Sequence, residues 1–322
     1  MKFPSRLLAL LAAAVVAVAT SAAQAQTYPS KPIRIVVPFG PGGSGDLMAR
    51  AFAQYVEGRT KQSVVIENKP GANGIIGTEQ VKNAAADGYT LLLATNSTHA
   101  ANVSLYKKLP YDPLKDFENF APFGTLGSVA VVPPGSPLNS IAAVVAHARA
   151  NPGKTFYGHY NSASLMAAEL FRVRTGAPLT GVSYKTIGNA ITDLIGGQIQ
   201  VLFLEYASGS AHIEGGKLTA LGVTGRERHK PWPNVPAIAE SYPGFELTAY
   251  LGLAAPARLP PDIAETINRW VLDAQTDPTI RARLDQLGMT PRALTREEAR
   301  RFVQQEIERW VGYVKAAGIE AQ

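Results

Sequence analysis

Residues 28–58 read YPSKPIRIVVPFGPGGSGDLMARAFAQYVEG, and this stretch decides how the rest of the chain is organised. The apolar residues between positions 33 and 37 predict a short strand. The apolar side chains between positions 47 and 56 share one face of a predicted helix. A loop of glycine and proline joins the two, so every polar group of that loop lies where a helix begins.

The start of a helix is a natural place for an anion, because its first N–H groups have no partner within the helix and the peptide dipoles place partial positive charge there. Gly42 and Gly43 have no Cβ, so their backbone amides can approach a ligand closely, while Pro38 and Pro41 stiffen the loop. Asp46 opens the helix, where an acidic side chain caps free N–H groups. The stretch indicates an anion site, although a tight strand-to-helix turn would use the same residues.

The same loop matches G-x-G-x-x-G at residues 40–45, and Glu67 ends the next apolar run, as in a dinucleotide-binding fold. Against this, Pro38 and Pro41 crowd the place where a pyrophosphate would lie. The sequence has no H-E-x-x-H zinc motif and no G-x-S-x-G nucleophile elbow. We therefore expect no cofactor, no metal ion and no catalytic residue, with a secreted oxidoreductase or hydrolase as the less favoured alternative.

The first residues have the form of a secretory signal peptide, residues 1–25. Lys2 and Arg6 precede an apolar run at residues 7–19, and Ala23-Gln24-Ala25 matches an A-x-A cleavage site. We expect cleavage after Ala25 and a soluble protein in the periplasm. The chain contains no cysteine, which excludes disulfides and Cys-based metal sites. The formal net charge of +6 is spread without a basic stripe, so nucleic acid is not an expected partner.

Strands and helices alternate along the chain, which predicts mainly parallel sheets covered on both faces. Two extended apolar runs, at residues 123–133 and 245–254, are predicted to cross between two lobes. We expect lobe 1 to be discontinuous, with residues 26–124 and 246–322, and lobe 2 to contain residues 125–245. A ligand would bind in the cleft between the lobes, which close by hinge motion.

Two segments are expected at that cleft, because ligands collect at the carboxyl ends of strands in such sheets. These segments are residues 38–46 and residues 95–99. The last part of the chain, residues 261–318, is predicted to be helical. Its expected buried face contains Phe302, Val303, Ile307, Trp310, Val311 and Val314.

Four long blocks stand out: YPSKPIRIVVPFGPGGSGD at residues 28–46, ENKPGANG at 67–74, ADGYTLL at 86–92 and LYKKLPYDP at 105–113. Shorter matches are Tyr184-Lys185, residues 193–198, residues 216–218 and Pro256. In this order, and over essentially the whole mature chain, they resemble the extracytoplasmic substrate-binding proteins of tripartite tricarboxylate transporters, the Bug family.

The resemblance implies an α/β fold of the type II periplasmic-binding-protein class, with two Rossmann-like lobes joined by two hinge strands and the ligand cleft between them. It implies a small carboxylate ligand held largely by backbone amides and delivered to a two-subunit integral membrane transporter. We expect a monomer. The lobe 1 residues expected at the ligand are Phe39, Gly42, Gly43, Asp46, Asn96, Ser97, Thr98 and His99.

Two questions stay open at this point. Docking of the liganded form on a sensor kinase is an alternative to transport. The ligand itself is a dicarboxylate, a tricarboxylate, an acidic amino acid or an aromatic acid.

The second lobe departs from the family pattern. Residues 157–166 form a shorter loop with fewer glycines and with Leu165 in place of a histidine, and Glu205 stands beside a position that is often aspartate. Such changes suit a ligand with a different substituent, for example an aromatic or amine-bearing one. The lobe 2 residues expected at the ligand are His159, Tyr160, Asn161, Ser162, Tyr184 and Glu205. Loop packing at the surface of the lobe is the alternative role for the first three.

Overall fold

The computed structural model describes residues 28–322, so the predicted signal peptide lies outside the described residues. The strands are β1 Ile33–Val37, β2 Val64–Asn68, β3 Thr90–Thr95, β4 Phe117–Leu126, β5 Ser128–Val132, β6 Phe156–His159, β7 Thr180–Ser183, β8 Val201–Glu205, β9 Thr219–Val223 and β10 Ala249–Pro256. The helices are α1 Ser44–Thr60, α2 Ile75–Lys82, α3 Asn102–Leu105, α4 Ile141–Ala150, α5 Ser162–Thr175, α6 Ile187–Ile195, α7 Tyr206–Glu214, α8 Ile238–Ser241, α9 Pro261–Thr276, α10 Pro278–Gln286 and α11 Arg296–Ala317. A 3-10 turn at Ala72–Gly74 and a π-helical turn at Ser97–Ala101 complete the structure. Across residues 28–322, none of the helices combines the length and apolar character needed to span a bilayer.

The first sheet has the strand order β2-β1-β3-β10-β4. β1 pairs in parallel with β2 and β3, and β10 runs antiparallel to β3 and β4. Ile33, Ile35 and Val37 join the core beneath α1. Val36 points to the opposite face, where it packs in a smaller core with Val81 of α2. Helices therefore cover both faces, as parallel strands require.

The second sheet repeats this plan with the order β7-β6-β8-β5-β9. β6 is parallel to β7 and β8, and β5 is antiparallel to β8 and β9. Phe203 of β8 faces the core under α5, and its neighbours Leu202 and Leu204 face the core under α6. The predicted two-lobed α/β fold is confirmed.

The first crossing between the sheets is very short. β4 ends at Leu126 in the first sheet and β5 begins at Ser128 in the second, so the single apolar run expected here is two strands separated by Gly127. A Cβ at Gly127 would clash with the ring of Tyr206, so only glycine fits.

The second crossing lies between β9 and β10, whose first residue is Ala249. The division into lobes that we propose assigns residues 26–124 and 246–322 to lobe 1 and residues 125–245 to lobe 2. It places each sheet within one lobe, apart from the last two residues of β4.

The C-terminal helix α11 packs against both lobes. It contacts β4, and Trp310 and Val314 join a core that also contains Phe171 of α5. The predicted buried face is wrong at Val311, which is 48% exposed although its neighbour Trp310 is fully buried. Successive residues of a helix lie about 100° apart around its axis, so Val311 points to solvent.

Replacing Trp310 tests this placement of α11. Trp310→Ala is expected to lower the free energy of unfolding by about 3–5 kcal/mol, because it empties a fully buried site. The matched control Val311→Ala is expected to change it by less than about 0.5 kcal/mol. Urea unfolding followed by circular dichroism measures both, and equal effects would show that the helix is rotated from this orientation.

Candidate functional site

Four of the helices begin at one cleft between the lobes. α1 follows β1 of the first sheet, and α5, α6 and α7 follow β6, β7 and β8 of the second. Their dipoles place partial positive charge around the cleft. Its lining includes Phe39, Gly43, Ser44, Gly45, Asp46, Thr95, Asn96 and Ser97 from the first lobe and Tyr160, Asn161, Lys185, Thr186, Ile187 and Glu205 from the second.

Three glycines at the start of α1 are required for three different reasons. Gly42 has a φ of +82°, which favours glycine. A Cβ at Gly45 would collide with Leu93, so this glycine lets the helix lie close on the sheet. Gly43 has an ordinary φ of −76°, and a Cβ there would approach only Gly40 O, at 3.8 Å. The fold does not need glycine at position 43, which faces the cleft and leaves α1 without a side-chain cap.

Asp46 holds the loop in shape. Its carboxylate accepts hydrogen bonds from the Gly42 N–H at 3.0 Å and from Asn68 Nδ2 at 3.0 Å, and it pairs with Arg50 at 2.9 Å. Burial alone would raise the pKa of the Asp46 carboxyl, but the hydrogen bonds and charge of these partners lower it. Gly42 therefore gives its N–H to Asp46, and the amides left to face the cleft are those that follow it.

The segment after β3 divides into two pairs of residues. Asn96 and Ser97 line the cleft, and Asn96 is only 3% exposed, with no hydrogen-bond partner for its Nδ2 among the described residues. Thr98 and His99 do not line it. Their side chains bond to each other, Thr98 Oγ1 to His99 Nδ1 at 3.0 Å, and the His99 ring packs on Phe117. The π-helical turn directs both side chains into the core, so the structure places neither of these predicted site residues at the cleft.

The second lobe contributes a buried carboxylate. Glu205 is 7% exposed and accepts hydrogen bonds from the Tyr160 hydroxyl and, at 2.6 Å, from Asn161 Nδ2. Burial, followed by the charge of Glu205, raises the pKa of the Tyr160 phenol well above its usual value, so this hydroxyl stays a donor. These three predicted residues meet at the cleft.

The remaining predicted residues of lobe 2 lie further out. His159, Ser162 and Tyr184 line an adjoining cavity that shares Phe39 and Tyr160 with the cleft. The Tyr184 hydroxyl donates to Asp193 Oδ2 at 2.9 Å, so it already has an acceptor within its own lobe. These residues surround the approach to the cleft.

Hydrogen bonds join the lobes across the cleft. Ser44 Oγ lies 3.0 Å from Ser208 Oγ, and the Ser162 N–H donates to Ser97 Oγ at 3.3 Å. Asn73 Nδ2 also donates to Ser162 Oγ at 2.6 Å. The structure is therefore a closed form. Sequence reasoning missed Ser44, Ser208 and Asn73 as contact residues, because their partners are distant in the sequence.

Glu67, the acidic residue that a dinucleotide site would use to bind the ribose, is hydrogen-bonded to other side chains of its own lobe. Glu67 accepts hydrogen bonds from Arg34 Nη1 at 3.2 Å and from Gln80 Nε2 at 3.3 Å. Within the described part of the chain, no three His, Asp or Glu side chains are grouped to hold a metal ion.

Known proteins resemble this chain over most of its length. Residues 48–319 match the family described as tripartite tricarboxylate transporter family receptor. Protein BugT of Bordetella pertussis is 35% identical over 319 residues, which is 98% of each chain. The structure of R. palustris Rpa4515 with adipate has a TM-score of 0.88 at 30% identity, covering 92% of this chain and 100% of that one. MatC (Rpa3494) from Rhodopseudomonas palustris with bound malate has a TM-score of 0.83 at 29% identity, covering 89% and 100%.

The buried position of His99 predicts a pH dependence. Burial lowers the pKa of its imidazole to about 3. An unfolded histidine titrates near 6.5, so below that pH the unfolded chain takes up a proton that the folded chain excludes, and stability falls as the pH falls. At about pH 5 this difference amounts to about 2 kcal/mol.

We predict that, between about pH 8 and pH 5, the wild-type protein loses about 2 kcal/mol more stability than His99→Gln. Urea unfolding at the two pH values measures the difference. The other histidines contribute equally to both proteins and cancel. An identical pH dependence for the two would show that His99 is accessible to solvent.

Proposed function

Because this chain belongs to the family of tripartite tricarboxylate transporter receptors, we propose that it captures a small organic carboxylate in the periplasm and delivers it to a two-subunit membrane transporter. The family consists of solute receptors. The proposal includes cleavage of the signal peptide after Ala25, action as a monomer and the absence of a catalysed reaction.

One observation carries the proposal: hydrogen-bond donors without acceptors face the cleft. The first N–H groups of α1 have no partner within the helix, and the N-cap residue Gly43 supplies none. Asn96 Nδ2 is buried beside them and has no acceptor among residues 28–322. Buried donors left unpaired cost about 1–3 kcal/mol each, and a carboxylate would satisfy several at once through charge-assisted hydrogen bonds. This donor set needs no arginine to hold an anion.

The related structures support the same ligand class. Rpa4515 is described with adipate and MatC with malate, and both share the fold over about nine-tenths of this chain. Both of those ligands are small carboxylates. We propose a carboxylate for this protein on the basis of these relatives together with its own donor set.

The contacts across the cleft suit a delivery role. In this form Ser44 contacts Ser208, and Ser97 contacts Ser162, so hydrogen bonds join the two lobes. A ligand held by both lobes favours this form, because it binds the closed state better than the open one. The transporter would then recognise the closed surface.

A substitution at Gly43 tests the role of the free amides. Gly43→Asp places a capping carboxylate at the start of α1, so the ligand-free protein should be as stable as wild type or more stable by a few tenths of a kcal/mol. Binding should fall at least about 100-fold, because the new side chain occupies the amides. The control Gly43→Ala adds a Cβ without a capping oxygen and should retain more affinity.

Thermal shifts across monocarboxylates, dicarboxylates, tricarboxylates and amino carboxylates provide the measurement. A ligand at 100 times its dissociation constant should stabilise wild type by about 2.7 kcal/mol. The proposal fails if no carboxylate stabilises wild type. Unchanged binding by Gly43→Asp would instead show that the carboxylate sits elsewhere.

A further inference from the structure

Glu205 is a buried carboxylate that faces the ligand cleft without performing a structural task of its own helix. It is 7% exposed, and it ends β8 at the N-cap position of α7. Short polar side chains such as Asp, Asn or Ser at that position usually accept a hydrogen bond from the first turn. Here the Glu205 side chain makes no cap hydrogen bond. It turns instead toward the cleft that it lines with Tyr160 and Asn161.

The partners of Glu205 are neutral and use only part of its capacity. One oxygen accepts from the Tyr160 hydroxyl and the other from Asn161 Nδ2. An ionised carboxylate offers about four acceptor positions, so about two are left. Throughout residues 28–322, no Lys, Arg or His nitrogen lies within 4.0 Å of it.

Asp46, the other carboxylate of the cleft, has its negative charge balanced by a neighbouring cation. Asp46 pairs with Arg50 at 2.9 Å and also accepts from Gly42 and Asn68. Its charge is already balanced and its oxygens are engaged. Glu205 therefore differs from Asp46 in lacking a cation, although both residues line the same space.

A buried charge without a counter-charge is unfavourable, and neutral hydrogen bonds offset only part of the cost. The starts of α5 and α7 lie beside Glu205, and helix N-termini interact favourably with negative charge. Lys185 also lines this wall, but its ammonium lies more than 4.0 Å from the Glu205 carboxylate, so in the described part of the chain Glu205 has no cation with N–H donors within pairing distance. The opposite wall presents N–H donors, namely the first amides of α1 and Asn96 Nδ2.

We propose that the ligand is an amino carboxylate whose carboxylate binds at the start of α1 and whose protonated amine binds Glu205. The inference rests on the proposed function and narrows its substrate class. A second carboxylate at this wall would meet the charge of Glu205, so simple dicarboxylates are disfavoured. A hydroxyl would supply one donor but would leave the charge unbalanced.

Matched ligand series test the assignment on the wild-type protein by calorimetry. One series is glutamate, 2-hydroxyglutarate and glutarate, and the other is γ-aminobutyrate, γ-hydroxybutyrate and butyrate, with succinate as a dicarboxylate control. In at least one series the amine should bind about 10- to 100-fold more tightly than its deaminated partner, as expected for a charge-assisted hydrogen bond.

Variants show whether Glu205 is the group responsible. Glu205→Gln keeps the size of the side chain and should remove the preference for the amine, bringing the ratio of affinities close to one. Glu169→Gln is the matched control: Glu169 also accepts from a tyrosine, Tyr157, at 2.5 Å and pairs with Arg172, but it does not line the cleft. This control should keep the wild-type preference.

The outcomes separate the two proposals. If hydroxy acids or dicarboxylates bind wild type as tightly as the amines, the amino carboxylate assignment is overturned while carboxylate capture stands. If no carboxylate in any series binds, the proposed function itself fails. A preference that persists in Glu205→Gln also overturns the assignment. Thermal unfolding of the ligand-free variants shows that they fold, and the wild-type series decides the question if Glu205→Gln does not.

Discussion

The N-cap residue of helix α1 is Gly43, which has no side chain to cap the free N–H groups of the first turn. The neighbouring residues fix the position of this first turn but do not accept hydrogen bonds from its N–H groups. Gly45 lets the helix lie on the sheet against Leu93, and Asp46 fixes the loop through Gly42 and Asn68. The loop is therefore rigid while its amides point into the cleft, which is the preorganisation that anion binding needs.

The second lobe completes the site, because it covers the N–H donors of α1 and adds the Glu205 carboxylate as an acceptor. The Ser44 and Ser208 hydroxyls meet across the cleft, the Ser162 N–H donates to the Ser97 hydroxyl, and these small side chains allow the lobes to approach closely. The crossing at Gly127 is one residue long, while α11 packs on both lobes through Trp310. The lobes are thus joined by an apolar contact at one side, by a direct strand-to-strand crossing at Gly127 and by a second crossing between β9 and β10.

Local patterns predicted much of this architecture. The apolar run before Pro38, the glycines after it and the amphipathic pattern from Leu47 gave the strand, loop and helix, and the alternation of elements predicted two covered sheets. Helix α7 escaped prediction because Ser208, Gly209 and Ser210 favour helices weakly.

The inward turn of Thr98 and His99 had no signal in the sequence, since a π-helical turn shifts side-chain directions that a strand-and-loop reading assumes. Glu205 was expected at the cleft because it stands beside a position that is often aspartate in the family. The sequence could not predict that Glu205 has no cation paired with it, because ion pairs depend on residues that are distant in the sequence and close only in the fold.

The cleft presents N–H donors on one wall and the Glu205 carboxylate, which has no paired cation among the described residues, on the other, and both disfavour the closed form unless a ligand is bound. Either could be removed by a single substitution, a capping residue at position 43 or a neutral one at position 205. A protein selected for stability alone would have little reason to keep them. A ligand that satisfies both walls stabilises the closed form by an amount that grows with its affinity, so binding and closure become one equilibrium. The unpaired N–H donors and the Glu205 carboxylate then determine the specificity of the receptor, because only a ligand with both a negative and a positive charge pairs with both.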